Sequence, residues 1–284
     1  MTIQWFPGHM AKARKEIVEK LKIIDVIIEL LDARIPISSR NPMINEIVMK
    51  KPRLVLLNKY DLADPRAVKK WIDYFQKENL EAIPISSING KGIANITKRS
   101  EYLIAEKREK MIERGINPRP VRAMILGIPN VGKSTLINRL ASKYIANTGD
   151  RPGITKGQQW IKVGNSMDLL DTPGILWPKF EDKQVGFRLA ATGAIKDELF
   201  HFDEIAFFII EYFRNNYPKN LIERYNLTDI SGDNIEIIKE IGKKRGCLIS
   251  GGEIDFDKTS ELIVRDLRTG KLGQFCLEEP SSTI

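Results

Sequence analysis

Cysteine is nearly missing from this chain, and Cys247 and Cys276 are too few and too far apart for a disulfide framework or a metal cluster. Reduced thiols are expected. No apolar run reaches the ~20 residues that cross a bilayer, and the N-terminus lacks a signal-peptide pattern, so a cytoplasmic protein with no membrane partner is expected. Acidic charge is in deficit. The 37 Asp and Glu face 45 Lys and Arg, and the net charge of +8 suits a polyanionic partner. At 284 residues the chain has room for one substantial core and one smaller domain.

What is present is concentrated in a few motifs. Gly127-Ile-Pro-Asn-Val-Gly-Lys-Ser134 follows the apolar run Val121 to Leu126 and precedes the helical pattern Leu136 to Leu140. That is the context a phosphate loop requires. Its glycines let backbone N–H groups turn towards phosphates, Lys133 can reach the β and γ oxygens, and the Ser134 hydroxyl can ligate Mg²⁺. Asn130, Val131, Gly132, Lys133, Ser134 and Thr135 are therefore candidate nucleotide contacts. Downstream, Met167 to Leu170 reads as a strand running into Asp171-Thr-Pro-Gly174. There Asp171 is the candidate acidic partner of Mg²⁺ and the Gly174 N–H the candidate contact to a γ-phosphate. Thr155, in the loop Arg151-Pro-Gly-Ile-Thr155, is the candidate second hydroxyl on the metal.

A base-reading segment stands upstream of these motifs. Arg53 to Leu57 reads as a strand delivering Asn58-Lys59-Tyr60-Asp61 at its carboxyl end. A carboxylate at Asp61 can accept from both the N1–H and the exocyclic amine of guanine, a donor pair adenine does not offer. Asn58 can tie neighbouring loops together, and the Lys59 stem can lie along the ring. GTP is thereby selected over ATP, which disfavours an ATPase scaffold. A further strand, Glu81 to Ile85, leads into Ser86-Ser87-Ile88, similar to the Ser-Ala-Lys loop of GTPases but lacking its lysine. In that loop a backbone N–H meets the guanine O6, so Ser86 and Ser87 join the candidate contacts.

The base-reading segment precedes the phosphate loop, the reverse of an ordinary GTPase. Together with Trp5-Phe-Pro-Gly-His-Met10 and Asp32-Ala-Arg-Ile-Pro36, this order resembles the circularly permuted bacterial ribosome biogenesis GTPase A (YlqF/RbgA) family over essentially the whole chain. The resemblance implies an α/β fold, with a circularly permuted phosphate-loop GTPase domain over 1–180 followed by a smaller all-α domain over 181–284. It implies a GTPase that binds GTP and GDP with Mg²⁺ and acts on the precursor of the large ribosomal subunit, with the second domain meeting ribosomal RNA and no DNA partner. Asn130 corresponds to a residue that helps coordinate K⁺ beside the phosphates in related GTPases. Ile175 stands where many GTPases carry a water-orienting glutamine, so unaided hydrolysis should be slow. The family's proposed catalytic histidine falls on His9, just after an expected Pro7-Gly8 turn; an RNA contact or a local capping role are the alternatives there. A GTP-sensing module whose hydrolysis is incidental is the alternative for the whole protein.

Elsewhere, Met10 to Lys22 reads as a basic helix, Asp25 to Leu31 as a buried strand, and Lys107 to Pro120 as the connection joining the ancestral ends. In the second domain, Ile205, Phe208, Ile209, Tyr212 and Phe213 recur at helix spacing and Pro218 supplies a stop. Asp233 with Glu236 marks a helix start, and Thr259 to Leu272 is a last amphipathic candidate. Lys243, Lys244, Arg245, Arg265, Arg268 and Lys271 are candidate phosphate contacts.

Overall fold

The computed structural model describes residues 7–48, 51–141, 159–174, 176–177, 180 and 182–280, with the backbone alone for 7–13. Thr155, Ile175 and the side chain of His9 lie outside the described residues. The described residues group into two compact units. One takes those within 4–179 together with Glu278, Glu279 and Pro280, and the other spans Phe180–Leu277.

The first unit is built on a six-stranded sheet in the order β3-β2-β1-β4-β6-β5. Its strands are β1 (Val26–Asp32), β2 (Arg53–Asn58), β3 (Glu81–Pro84), β4 (Val121–Gly127), β5 (Gln159–Val163) and β6 (Met167–Asp171). All neighbours run parallel except β5, which is antiparallel to β6. Helices on both faces of a parallel sheet demand strands that are apolar throughout, and every residue of β1 is buried accordingly. Glu29, in the middle of that strand, is tolerated because Arg53 and Arg40 meet its carboxylate at 3.1 and 3.5 Å. At the edge, β5 alternates exposed and buried side chains over its last residues, as a strand paired on one side should.

Helices α1 (Pro7–Leu21), α2 (Pro42–Val48), α3 (Pro65–Lys77), α4 (Asn95–Tyr102), α5 (Ala105–Glu113) and α6 (Lys133–Leu140) surround the sheet. Three of them open on proline, whose missing N–H would find no helical partner in a first turn. The turn expected at Pro7-Gly8 is accordingly the first turn of α1. Ile17 of α1 and Ile44 and Val48 of α2 share a cluster with Met124, Leu126 and Leu170 of the sheet. From β1 the chain steps outward through β2 to β3 at one edge, whereas from β4 it crosses the other way, forming the far edge strand β5 and returning as β6 beside β4. The crevice between the carboxyl ends of β1 and β4, where the stepping direction reverses, is the place such a sheet offers a ligand.

The connection over Lys107 to Pro120 is helical as far as Glu113, in α5, rather than irregular throughout. Asp25 fastens it. Its buried carboxylate accepts from Lys107 at 2.6 Å, Arg119 at 2.7 Å and the Arg122 N–H at 3.0 Å. Val26, Ile104 and Val121 pack together at the same end, the amino ends of β1 and β4. The join is thus secured at the end of the sheet away from the crevice.

The second unit is helical: α7 (Lys183–Ala191), α8 (Phe202–Asn216), α9 (Pro218–Tyr225), α10 (Asn234–Arg245) and α11 (Phe256–Arg268). Ile205, Ala206, Ile209, Ile210 and Phe213 are the buried residues of α8, with Phe208 and Tyr212 of the expected stripe half-buried, and Pro218 both follows its end and opens α9. Asp233 and Glu236 form a reciprocal capping box on α10. Asp255 caps α11, so that helix starts three residues before the expected Thr259. No helix among the described residues is long and apolar enough to cross a membrane.

Burial would raise the Asp25 carboxyl, but its hydrogen bonds from Lys107, Arg119 and the Arg122 N–H prevail and hold it below the usual carboxylate range. A carboxyl lowered on folding stabilises the native state above its unfolded value and loses that contribution as pH falls towards the native one. Asp25→Asn should cost about 1–3 kcal/mol by urea unfolding at pH 7. The difference from the parent should shrink below pH ~4; a difference independent of pH would contradict the ion-pair account.

Candidate functional site

Apart from His9, whose backbone is in α1, the described candidates from the nucleotide-binding motifs follow the carboxyl ends of β2, β4 and β6 or lie in the turn after β3. The side chain of Asn58, 1% exposed at the end of β2, joins three of these elements. Its Nδ2 donates to the Val131 carbonyl of the phosphate loop at 2.7 Å. Its Oδ1 accepts from the Ser87 N–H at 3.0 Å and the Ser87 hydroxyl at 2.8 Å. The Ser87 N–H, expected to face a guanine carbonyl, is therefore engaged in holding Asn58. Arg139 of α6 reinforces the same turn, donating to the carbonyls of Ser87 and Ile88. Ser86 is fully buried and its hydroxyl accepts from the Asn89 N–H at 3.3 Å, so it shapes the turn from within.

Lys59 adopts φ 60° and ψ 31°, a left-handed conformation that costs a side-chain-bearing residue about 1–3 kcal/mol. Its ammonium lies 3.0 Å from Asp32 Oδ2. Asp32 also receives two parallel hydrogen bonds from Arg34, at 2.9 and 2.8 Å. Burial would raise this carboxyl, yet Arg34 and Lys59 hold it far below the usual range. The Asp32-Ala-Arg motif thus anchors the lysine of the base-reading segment. Asp61 follows in a single 3₁₀ turn, Tyr60–Leu62, half-buried directly beyond β2.

The phosphate loop enters α6 through two left-handed residues, Asn130 at φ 56° and Gly132 at φ 97°. Ser134 and Thr135 lie in the first turn of that helix, whose N–H groups and positive dipole end favour an anion. Lys133 is 6% exposed, and burial pushes its ammonium down while Asp171 draws it back up. Burial raises the Asp171 carboxyl in turn, opposed by Lys133 and the Thr172 N–H. Both charged groups thus sit in a place that disfavours charge. Asp171 Oδ1 is buried and finds no hydrogen-bond partner among the described residues. An orphaned carboxylate oxygen and the Ser134 hydroxyl are hard oxygen donors that suit Mg²⁺.

Gly174 approaches the phosphate loop so closely that a Cβ there would stand 3.0 Å from the Pro129 nitrogen. The Thr172 hydroxyl donates to the Ile125 carbonyl of β4 at 2.7 Å, holding the same segment from below. In the helical unit the candidate phosphate contacts divide. Arg268 is committed to Asp197 at 2.8 Å and to the Ala190 and Ala191 carbonyls, so its role is structural there. Lys244 and Arg265 are paired with Glu240 and Glu261, and Arg245 lies over the Tyr225 ring. Lys271 lies 3.6 Å from Asp266. Lys243 is exposed on the last turn of α10.

The sequence family described as 50S ribosome-binding GTPase matches residues 122–245. The match begins within β4 and leaves out Asn58 to Asp61, in keeping with the permuted order. Ribosome biogenesis GTPase A of Priestia megaterium is 57% identical over 282 residues, covering 99% of this chain and 98% of its own. That of Bacillus cereus is 59% identical over 280 residues, covering 99% and 95%. The structure described as GDP-bound TM YlqF superposes with a TM-score of 0.65 at 25% identity, covering 93% of this chain and 99% of its own.

A Cβ on Gly132 would collide with the Asn58 amide, at a backbone angle that a side chain rarely adopts. Gly132→Ala should therefore weaken guanine nucleotide binding by on the order of tenfold or more, the breaking of the Asn58–Val131 hydrogen bond alone being worth about 1–3 kcal/mol. Fluorescent-nucleotide titration checks this; unchanged affinity would show that the Asn58 joint does not shape the site.

Proposed function

The chain belongs to the ribosome biogenesis GTPase A family, and from that premise we propose how its own residues bind, read and hydrolyse the nucleotide. It is a GTP-hydrolysing enzyme of ribosome biogenesis. The observation that carries the residue assignment is the Asn58 side chain, which ties the base-reading segment to the phosphate loop across 73 residues of chain.

Asp61 accepts the two guanine donors, and the Lys59 stem lies along the base while Asp32 holds its ammonium. Asn130 to Thr135 wrap the phosphates, and Lys133 offsets their charge from inside the loop. A triphosphate gives the buried ammonium the counter-charge that Asp171 alone supplies incompletely. Ser134, Asp171 and Thr155 would hold Mg²⁺, which supplies neutralisation of charge on the β and γ oxygens. The Gly174 N–H faces the γ-phosphate.

With Ile175 unable to orient water, His9 in the first turn of α1 takes that role, imidazole being the side chain suited to accepting a proton from water near neutral pH. Asn130 would hold K⁺, which would supply positive charge to offset that developing on the leaving GDP. The partner is the cytoplasmic precursor of the large ribosomal subunit, met through ribosomal RNA. The net charge of +8 and the exposed Lys243 support an RNA partner.

GTP turnover measured alone, with purified small subunits and with purified large subunits tests this reading. Turnover should be slow alone, rise only with large subunits, and fall when sodium replaces potassium in the parent but not in Asn130→Ala. His9→Ala should keep subunit binding and lose on the order of 10²-fold of the stimulated rate. Stimulation by small subunits alone, or none by either, would contradict the proposed partner.

A further inference from the structure

Glu278, in the segment that follows the helical unit, is buried in the GTPase unit at 7% exposure. It accepts from the Ile37 N–H at 2.5 Å, from the Ser38 N–H at 3.1 Å and from the Ser38 hydroxyl at 2.5 Å. Its own carbonyl receives the Trp71 indole N–H at 3.4 Å, and its neighbour Glu279 pairs with Lys70 of α3 at 2.9 Å. The backbone is therefore strapped across α3 while the carboxylate gathers three donors from one turn. Such charge-assisted hydrogen bonds to a buried acceptor are strong and geometrically restrictive.

The turn so gripped is the one that follows the Asp32-Ala-Arg motif. Ser39, next to Ser38, accepts the Asp32 N–H at 3.0 Å and donates to the Pro36 carbonyl at 3.2 Å. The Ile35 N–H returns to the Asp32 carbonyl at 2.9 Å, and Ala33 bonds the Asn58 carbonyl at 2.7 Å. Asp32 in turn holds Lys59 in its left-handed conformation. An unbroken chain of hydrogen bonds and one ion pair thus runs from Glu278 through the 35–39 turn to the lysine of the base-reading segment.

We propose that Glu278 is a positioning residue for guanine nucleotide. By fixing the 35–39 turn it keeps Asp32 on Lys59, and so sets how long bound GDP or GTP stays. The inference rests on the guanine-nucleotide reading of this corner. Glu278 touches no nucleotide, so its effect falls on dissociation through the geometry of Lys59. Loss of the carboxylate leaves three donors facing a gap and frees the turn to move. Phosphate contacts around Lys133 stay as they were.

The test is the rate of release of a fluorescent GDP analogue from the full-length protein. Glu278→Ala should release it roughly 2- to 30-fold faster, the range that a residue acting through intermediates commands. Glu278→Gln, which keeps one acceptor oxygen, should fall between that variant and the parent. Ser38→Ala should accelerate release by itself and add little to Glu278→Ala, because both loosen one turn. Ile104→Ala, packed at the opposite end of the sheet, controls for stability: it should lower the melting temperature with release unchanged. Parent-like release from Glu278→Ala and Ser38→Ala would overturn the proposal, as would acceleration in Ile104→Ala matching its loss of melting temperature. Failure of the parent to retain GDP at all would instead overturn the guanine-nucleotide reading beneath it.

Discussion

The structure depends on a single buried amide. Asn58 uses its donor on the phosphate loop and its acceptor on the turn after β3, so three segments that the chain order separates are hydrogen-bonded at one corner. Cutting and rejoining a chain changes which residues are covalently adjacent but leaves such a contact intact, provided strand positions survive. Here they do, because β1 and β4 remain the central pair of the sheet. The new join is held by Asp25 at the amino ends of those strands, and the ligand crevice opens at their carboxyl ends. Connectivity and chemistry are thereby kept at opposite ends of one sheet.

Charge is distributed with the same economy. Asp32 is buried but fully compensated, with Arg34 and Lys59 supplying close cations, so it acts as a fixed anchor. Lys133 and Asp171 are buried with only partial compensation, from each other and, for Asp171, from the Thr172 N–H, and burial moves both towards their neutral forms. An anchor should be satisfied before a ligand arrives, whereas a binding group should improve when one does. The difference between the Asp32 and Asp171 environments separates these two roles within one crevice.

Much of this was legible in the sequence. The apolar runs of β1, β2 and β4 follow from burial on both faces, and the phosphate loop was readable from its strand, turn and helix context. The capping box at Asp233 was equally direct, and the stripe on α8 was legible at Ile205, Ile209 and Phe213 but not at Ala206 and Ile210. Other features were hidden because their cause is tertiary. α5 carries no apolar periodicity and buries none of its residues, so no sequence pattern marks it as a helix. Asp64 ahead of Pro65, by contrast, is a local signal, and it caps the start of α3. Arg268 resembled a surface cation until Asp197 and two carbonyls claimed it. The engagement of the Ser87 N–H and the part played by Glu278, 240 residues from Ser38, depend on approaches that no local window contains.

The central claim is that the permuted chain reads guanine through the segment it places first, with Asp61 as the discriminating carboxylate. Competition binding of GTP, ATP and xanthosine triphosphate to the parent and to Asp61→Asn tests it most directly. The account predicts strong preference for GTP in the parent. In the variant, GTP affinity should fall on the order of 10²-fold or more, with xanthosine triphosphate gained, because two charge-assisted hydrogen bonds are exchanged. Equal binding of ATP and GTP by the parent, or unchanged GTP affinity in the variant, would contradict it.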